Sequence, residues 1–116
     1  MNLDGLTLYV SSTASNGVVG GDTLLHFTQK GSRVLARYSG GSIRRGYLVG
    51  DIEDAMLRFR YTQLEASGEI HGGSSVCDVE TLPDGRTRIV EHFTWRTREG
   101  AGDNVFDELV HTSSMP

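Results

Sequence analysis

Apolar and polar residues alternate with a period of two through most of the chain. The alternation is clearest over residues 34–38 and 57–61, where every second residue is apolar or aromatic. Such alternation predicts half-buried β-strands. Turn signals rich in glycine, such as those at 16–17, 40–41 and 83–85, separate the segments. No segment has a sustained helical period, so the sequence predicts an all-β protein.

Eight such segments joined by short turns predict an eight-stranded antiparallel up-and-down β-barrel, because closure removes the exposed edges of an open sheet. A two-sheet β-sandwich is the alternative. The length of 116 residues predicts one domain spanning 1–116. The local patterns predict a second strand over 18–29 with a bulge or bend at Gly20–Gly21, loops over 51–54 and 99–104, an eighth strand over 105–111 and a frayed tail over 112–116.

The more apolar face of each strand is expected to point into the barrel. This inner set comprises Thr23, Leu25, Phe27, Gln29, Val34, Ala36, Tyr38, Leu57, Phe59, Tyr61, Ile89, Glu91, Phe93 and Trp95. In the fourth strand the choice stays open, because Ile43, Tyr47 and Val49 compete with the set that contains Leu48. Several polar groups fall inside, and such groups cost free energy unless they are paired. The interior is therefore expected to be a hydrogen-bonding lumen, either filled or open to one small ligand.

The charge and the cysteine content indicate which classes of partner and which cellular compartment to expect. Fifteen acidic residues against eleven basic ones give a formal charge of −4, which argues against a nucleic-acid-binding protein. No apolar run is long enough for a membrane helix, and residues 1–5 do not look like a secretory signal. Cys77 stands alone and permits no internal disulfide. We therefore expect a cytoplasmic protein with no nucleic-acid or membrane partner; the alternative is a mature chain whose leader was removed.

Glu91 is the first candidate catalytic residue, because it shares a face with Ile89 and Phe93. A carboxyl group in such surroundings has a raised pKa and suits acid–base chemistry. Tyr38 and Tyr61 are candidates to assist it. The alternative is a structural pair between Glu91 and an arginine or tyrosine of a neighbouring strand.

A ligand pocket needs apolar area with a few placed polar groups. The candidate ligand-binding residues that fit this description are Gln29, Tyr38, Phe59, Tyr61, Phe93 and Trp95. The alternative for these side chains is ordinary packing inside the barrel.

Other reactive residues predict no further site. Cys77 and His71 lie on the same face of the predicted sixth strand. Six residues of strand separate them by roughly 20 Å, which is too far for a nucleophile and its base. The four histidines have no metal-ligand spacing, and no glycine-rich phosphate loop precedes a helix, so neither a metal nor a cofactor is expected.

Four arginines on one outer face, Arg33, Arg37, Arg58 and Arg60, are expected to form a basic stripe. Such a stripe suits phosphate groups or an acidic partner. The alternative is a solvated face whose arginines pair with acidic side chains.

Strings such as 34–43, 46–50, 82–86 and 91–95, together with Gly68-Glu69, resemble a group of short bacterial proteins over about residues 5–108. These proteins often carry the name N-acetylglutamate synthase. That activity is not expected, because it needs a phosphate-binding loop that opens a helix. The architecture resembles avidins and other calycin barrels, which implies binding of a small molecule at one barrel mouth.

Biotin is not implied by this resemblance, because the strings of avidin's biotin site are absent. Phe93 stands where a second tryptophan is expected, so a paired-tryptophan platform is not implied either.

The sequence thus predicts a barrel that binds a small molecule in a partly aromatic, partly polar lumen. One alternative is a cofactor-independent isomerase or cyclase of a natural-product pathway that uses Glu91 as acid or base. Another is a structural or assembly module with a filled barrel. Outward apolar residues, namely Leu35, Met56 and Val90, predict a homodimer or homotetramer.

Overall fold

The computed structural model describes residues 2–15 and 18–110, and its eight strands form a closed barrel. The strands are β1 (Thr7–Thr13), β2 (Leu24–Lys30), β3 (Arg33–Gly40), β4 (Ile43–Glu53), β5 (Met56–Glu65), β6 (Ile70–Thr81), β7 (Thr87–Trp95) and β8 (Ala101–Glu108). Each strand pairs antiparallel with the next, and β8 pairs with β1. The predicted up-and-down barrel is confirmed, and the β-sandwich alternative is wrong.

The two ends of the barrel differ in how they are covered. The β1–β2, β3–β4, β5–β6 and β7–β8 loops lie at what we call the mouth end. At the other, plugged end, the N-terminal segment folds against the start of the barrel. Leu3 is fully buried there, and its N–H donates to Gln29 Oε1 at 2.8 Å. The Gly5 N–H donates to the Phe27 carbonyl at 3.0 Å.

The predicted inner set is confirmed as buried apart from Gln29, which is half-buried. Alternation holds with little interruption in β3, β5 and β7, whose inward side chains enter one core cluster. β6 turns its odd-numbered residues inward, including Ser75, Cys77 and Val79.

The open choice in β4 is settled by a shift in register. The ladder with β5 is irregular between Ile43 and Arg45, so the parity of the strand changes there. Ile43 is buried before the shift and Leu48 after it, while Tyr47 and Val49 face solvent. Neither of the two inward faces considered for the fourth strand was entirely correct. An extra residue in a strand turns the side chains that follow it to the opposite face.

Three predicted boundaries are wrong. β2 begins at Leu24, and the Gly20–Gly21 pair lies in the β1–β2 loop, where the Thr23 N–H donates to the Gly20 carbonyl at 2.9 Å. β4 continues through residues 51–53, which were expected to be a loop. β8 covers 101–108, so its first four residues replace most of the predicted loop. The predicted turn at Asn16–Gly17 and the tail over 112–116 lie outside the described residues.

The described ranges contain no helix that is long and apolar enough to span a membrane.

Candidate functional site

A small cavity lies inside the barrel toward the mouth end. Its lining residues are Val18, Val19, Leu25, Tyr38, Leu48, Phe59, Tyr61, Gln63, Glu91, Phe93, Trp95, Asn104 and Phe106. Six of these are aromatic and three carry polar amide or carboxyl groups. The space amounts to about 30 Å³. A water molecule needs at least about 10–15 Å³ measured in this way, so the cavity has room for roughly two.

Cross-strand glycines let two of the tyrosines lie flat against the barrel wall. Gly46 is the ladder partner of Tyr38, and Gly73 is the partner of Tyr61. A Cβ at Gly46 would overlap the Tyr38 ring, and a Cβ at Gly73 would collide with the Tyr61 hydroxyl and a carbonyl of β7. These glycines therefore fix where the two phenol groups lie in the lumen.

Glu91 is buried in the middle of the lumen and is held by two donors. The Ser75 hydroxyl donates to Glu91 Oε2 at 2.6 Å, and Asn104 Nδ2 donates to Glu91 Oε1 at 2.8 Å. The Thr13 hydroxyl in turn donates to Asn104 Oδ1 at 2.7 Å. Among the described residues, no arginine or lysine pairs with this carboxyl group.

Burial raises the pKa of Glu91, and the hydrogen bonds from Ser75 and Asn104 offset only part of that effect. The structural alternative of an arginine pair is thus not what surrounds this residue. Burial also raises the pKa of Tyr38 and of Tyr61, and the nearby Glu91 adds to both effects.

A chain of hydrogen bonds runs from the lumen to the rim of the mouth. The Tyr38 hydroxyl donates to Gln63 Oε1 at 2.8 Å, and Gln63 Nε2 donates to Glu65 Oε2 at 2.9 Å. Arg98, in the β7–β8 loop, completes the chain by donating to Glu65 Oε1 at 2.7 Å. Its guanidinium group also lies 4.6 Å from the centre of the Trp95 ring. The Tyr38 hydroxyl is therefore already engaged.

Two other polar groups in the lumen have no partner within the described chain. They are the Tyr61 hydroxyl and the Trp95 Nε1–H, and both are buried. The two rings meet edge to face, with their centroids 5.5 Å apart, and Phe93 meets Trp95 in the same way at 5.8 Å. Buried donors are nearly always satisfied in folded proteins. Two unpartnered donors at one cavity therefore indicate a place where a bound molecule with an acceptor atom would fit.

Most of the predicted site residues come together at this cavity. Those that line it are Glu91, Tyr38, Tyr61, Phe59, Phe93 and Trp95. Gln29 does not, because it lies at the plugged end, where its Nε2 donates to the Gly31 carbonyl at 2.9 Å.

Sequence reasoning missed Gln63, Asn104 and Phe106. Gln63 follows Tyr61 by two residues on the inward face of β5. A longer predicted fifth strand would have placed it in the inner set. Asn104 was placed in a loop, whereas it is the ladder partner of Glu91.

Among the described residues, His71 and Cys77 do not form a reactive pair. Cys77 is buried, and burial together with the neighbouring Glu91 raises the pKa of its thiol. His71 instead contacts Glu69 at 2.9 Å and Thr97 at 2.7 Å at the mouth. Within the described ranges, no group of three or more His, Cys, Asp or Glu side chains is arranged to hold a metal ion.

Comparisons with known proteins agree with the architecture. A family model described as avidin-like protein matches residues 1–109. No curated protein and no solved structure matches the chain.

Proposed function

This chain belongs to the avidin-like family, and we propose that it binds a small molecule in the cavity at the mouth end of its barrel. Barrels of this family bind small molecules in general. The proposal adds a position for the ligand and a chemistry for it: an apolar, partly aromatic body that carries a hydrogen-bond acceptor.

The observation that carries the proposal is the pair of unpartnered donors on Tyr61 and Trp95. Both are buried beside the cavity, and a ligand oxygen would satisfy either of them. The surrounding aromatic rings supply flat apolar area, and Glu91 supplies a polar group deeper in the lumen. A mostly apolar pocket with a few placed polar groups is the usual composition of a small-molecule site.

The cavity is too small for most ligands unless some of its lining side chains move. A ligand larger than about two water molecules must displace part of the lining. Val18 and Val19 are the candidates, because they are only partly buried and belong to the loop between β1 and β2 rather than to a strand. We expect ligand entry to move these two side chains outward.

Thermal melting with and without a panel of small aromatic carbonyl compounds tests the proposal. A ligand that binds only the folded state raises the melting temperature. Tyr61→Phe removes one orphan donor, and we expect it to weaken such a ligand about threefold to tenfold, the worth of one hydrogen bond. Tyr47→Phe is the matched control, because it removes a hydroxyl group from the outer face. The proposal fails if no compound stabilises the protein, or if both variants weaken binding equally.

A second candidate function is the acid–base chemistry of a cofactor-independent isomerase or cyclase. The observation in its favour is a buried carboxyl group, Glu91, whose pKa is raised and which lies beside a cavity. The free Tyr61 hydroxyl would orient a substrate oxygen. In this case Glu91→Gln abolishes turnover of a bound compound while thermal stabilisation by that compound persists.

A third candidate is a structural module whose barrel is filled. The small volume of the cavity favours it. This function predicts that no member of the compound panel raises the melting temperature, and that the Tyr61 and Trp95 donors are satisfied by water.

Self-association into a dimer or tetramer stays a prediction. Of the three outward apolar residues on which it rests, Leu35 and Met56 are about half exposed and Val90 is partly buried. Light scattering checks it, since the monomer has a mass of 12.7 kDa. A monomer at micromolar concentration would contradict the prediction.

A further inference from the structure

Three apolar side chains lie next to one another on the outer surface of β3 and β4. Leu35 is the ladder partner of Val49, and Tyr47 precedes Val49 by two residues on the same face. The exposed fractions of Leu35, Tyr47 and Val49 are 51%, 52% and 61%. Single exposed apolar residues are ordinary, but a contiguous group of them marks an interaction surface.

Arginines surround this apolar centre. Arg33 and Arg37 flank Leu35 along β3, and Arg60 is the ladder partner of Val49 on β5. None of these three guanidinium groups forms an ion pair or hydrogen bond with another residue in the described part of the chain. We call these three arginines and the three apolar residues the arginine face.

The arginines of the arginine face differ from two arginines elsewhere on the barrel that have acidic partners. Arg88 pairs with Asp107 through two bonds of 2.7 and 2.9 Å, and Arg98 pairs with Glu65. The predicted alternative, a solvated face whose arginines pair with acids, holds within the described residues only for Arg58, which lies 3.8 Å from Asp51. On the arginine face, by contrast, three arginines lie close together without an ion pair among the described residues, although the net charge of the chain is −4.

We propose that the arginine face binds an acidic protein segment that also carries apolar side chains. An apolar centre with a charged rim is the ordinary anatomy of a protein interface. A closed barrel has no free strand edge, so the segment is recognised through side chains rather than by addition of a strand. An acidic segment complements the three arginines, whereas a second copy docked by the same face would bring six arginines into one interface.

An NMR titration with a short peptide of alternating Glu and Leu tests the proposal. We expect the amide signals of Leu35 and Val49 to shift, and the affinity to fall as salt is raised. Reversing two charges in R37E/R60E weakens this peptide at least about tenfold. The same variant gains affinity for the matched peptide of Lys and Leu, because the charge complementarity is then restored.

Two single variants separate apolar from electrostatic recognition. Leu35→Ser weakens the acidic peptide, whereas Ile70→Ser, which changes a more exposed apolar residue on β6, does not. Circular dichroism verifies that each variant is folded. The proposal is overturned if the charge reversal leaves peptide binding unchanged, or if anionic vesicles or single-stranded DNA bind this face and the peptide does not. It is also overturned if the wild type buries Leu35 in a symmetric dimer.

Discussion

The plugged end and the mouth end of the barrel are built on the same strands, yet their interiors differ in chemistry. Toward the plugged end several inward residues are aliphatic, for example Val34, Leu57 and Ile89, each with no exposed surface. Toward the mouth end the same strands contribute Tyr38, Gln63 and Glu65 to a hydrogen-bonded chain, and β7 contributes Trp95.

The two ends of the interior therefore contribute differently to the free energy of folding. Aliphatic burial at the plugged end drives folding without any directional requirement. Buried polar groups at the mouth end cost free energy unless satisfied, and two of them have no partner within the described residues. The mouth end thus carries an unfavourable arrangement that ligand binding would relieve.

The largest expected effect is at the plugged end. Leu57→Ala removes a fully buried side chain, and we expect the free energy of unfolding to fall by about 2–5 kcal/mol. Leu35→Ala, on the outer surface, is the matched control and changes it by less than about 0.5 kcal/mol. Urea denaturation measures both. If the free energy of unfolding falls by similar amounts in the two variants, burial at the plugged end is not what stabilises the barrel.

Gly46→Ala is expected to be the next most damaging change, this time at the mouth end. The added Cβ overlaps the Tyr38 ring and costs about 1–3 kcal/mol through overpacking. Gly21→Ala is the control, since a Cβ at that position meets nothing within 4 Å. Denaturation curves that coincide for the two variants would show that the tyrosine position is not set by this glycine.

Arg98→Gln tests the rim of the mouth. It leaves the mostly buried Glu65 without its ion partner, which costs about 1–2 kcal/mol. Arg86→Gln breaks a pair of equal length, 2.7 Å, whose carboxylate on Asp84 is largely exposed to solvent, so we expect its cost to be smaller. Urea denaturation measures the free energy of unfolding of both variants. A larger decrease for Arg86→Gln than for Arg98→Gln would show that the buried pair at the rim is not the more stabilising one.

The last expected effect is the pH dependence that Glu91 contributes. Because its folded-state pKa is raised, the unfolded chain releases this proton at a lower pH than the folded chain does. Stability is therefore full below the ordinary glutamate pKa and declines as pH rises toward the folded-state pKa, by less than about 1.4 kcal/mol per pH unit. Glu91→Gln abolishes this decline. Parallel pH profiles for wild type and variant, from thermal melts, would show that Glu91 does not titrate in this manner.

Much of the barrel could be predicted from the sequence because alternation has a direct physical cause. In β3, β5 and β7 every second residue is buried, so parity alone assigns the inward side chains, including Glu91. Parity also placed Gln29 inside, but it could not foresee that the N-terminal segment satisfies this residue at the plugged end.

The remainder of the site depends on tertiary pairing. Residues 101–104 include glycine, aspartate and asparagine, which have low strand propensity, and they form a strand because they pair with β7 and, at Asn104, also with β1. Asn104 thereby reaches Glu91, a contact that no local pattern indicates. The parity of β4 likewise follows from its irregular register with β5 rather than from its own residues.

The most direct test of the ligand site at the mouth end uses the single tryptophan of the chain as its reporter. Trp95 lines the cavity and its Nε1–H has no partner within the described chain, so one indole signal reports on the proposed site. In a titration of ¹⁵N-labelled protein with a compound that raises the melting temperature, we expect this signal to shift downfield and to saturate as the ligand oxygen accepts its proton. If every stabilising compound leaves the indole signal unmoved, the cavity at the mouth end is not the binding site.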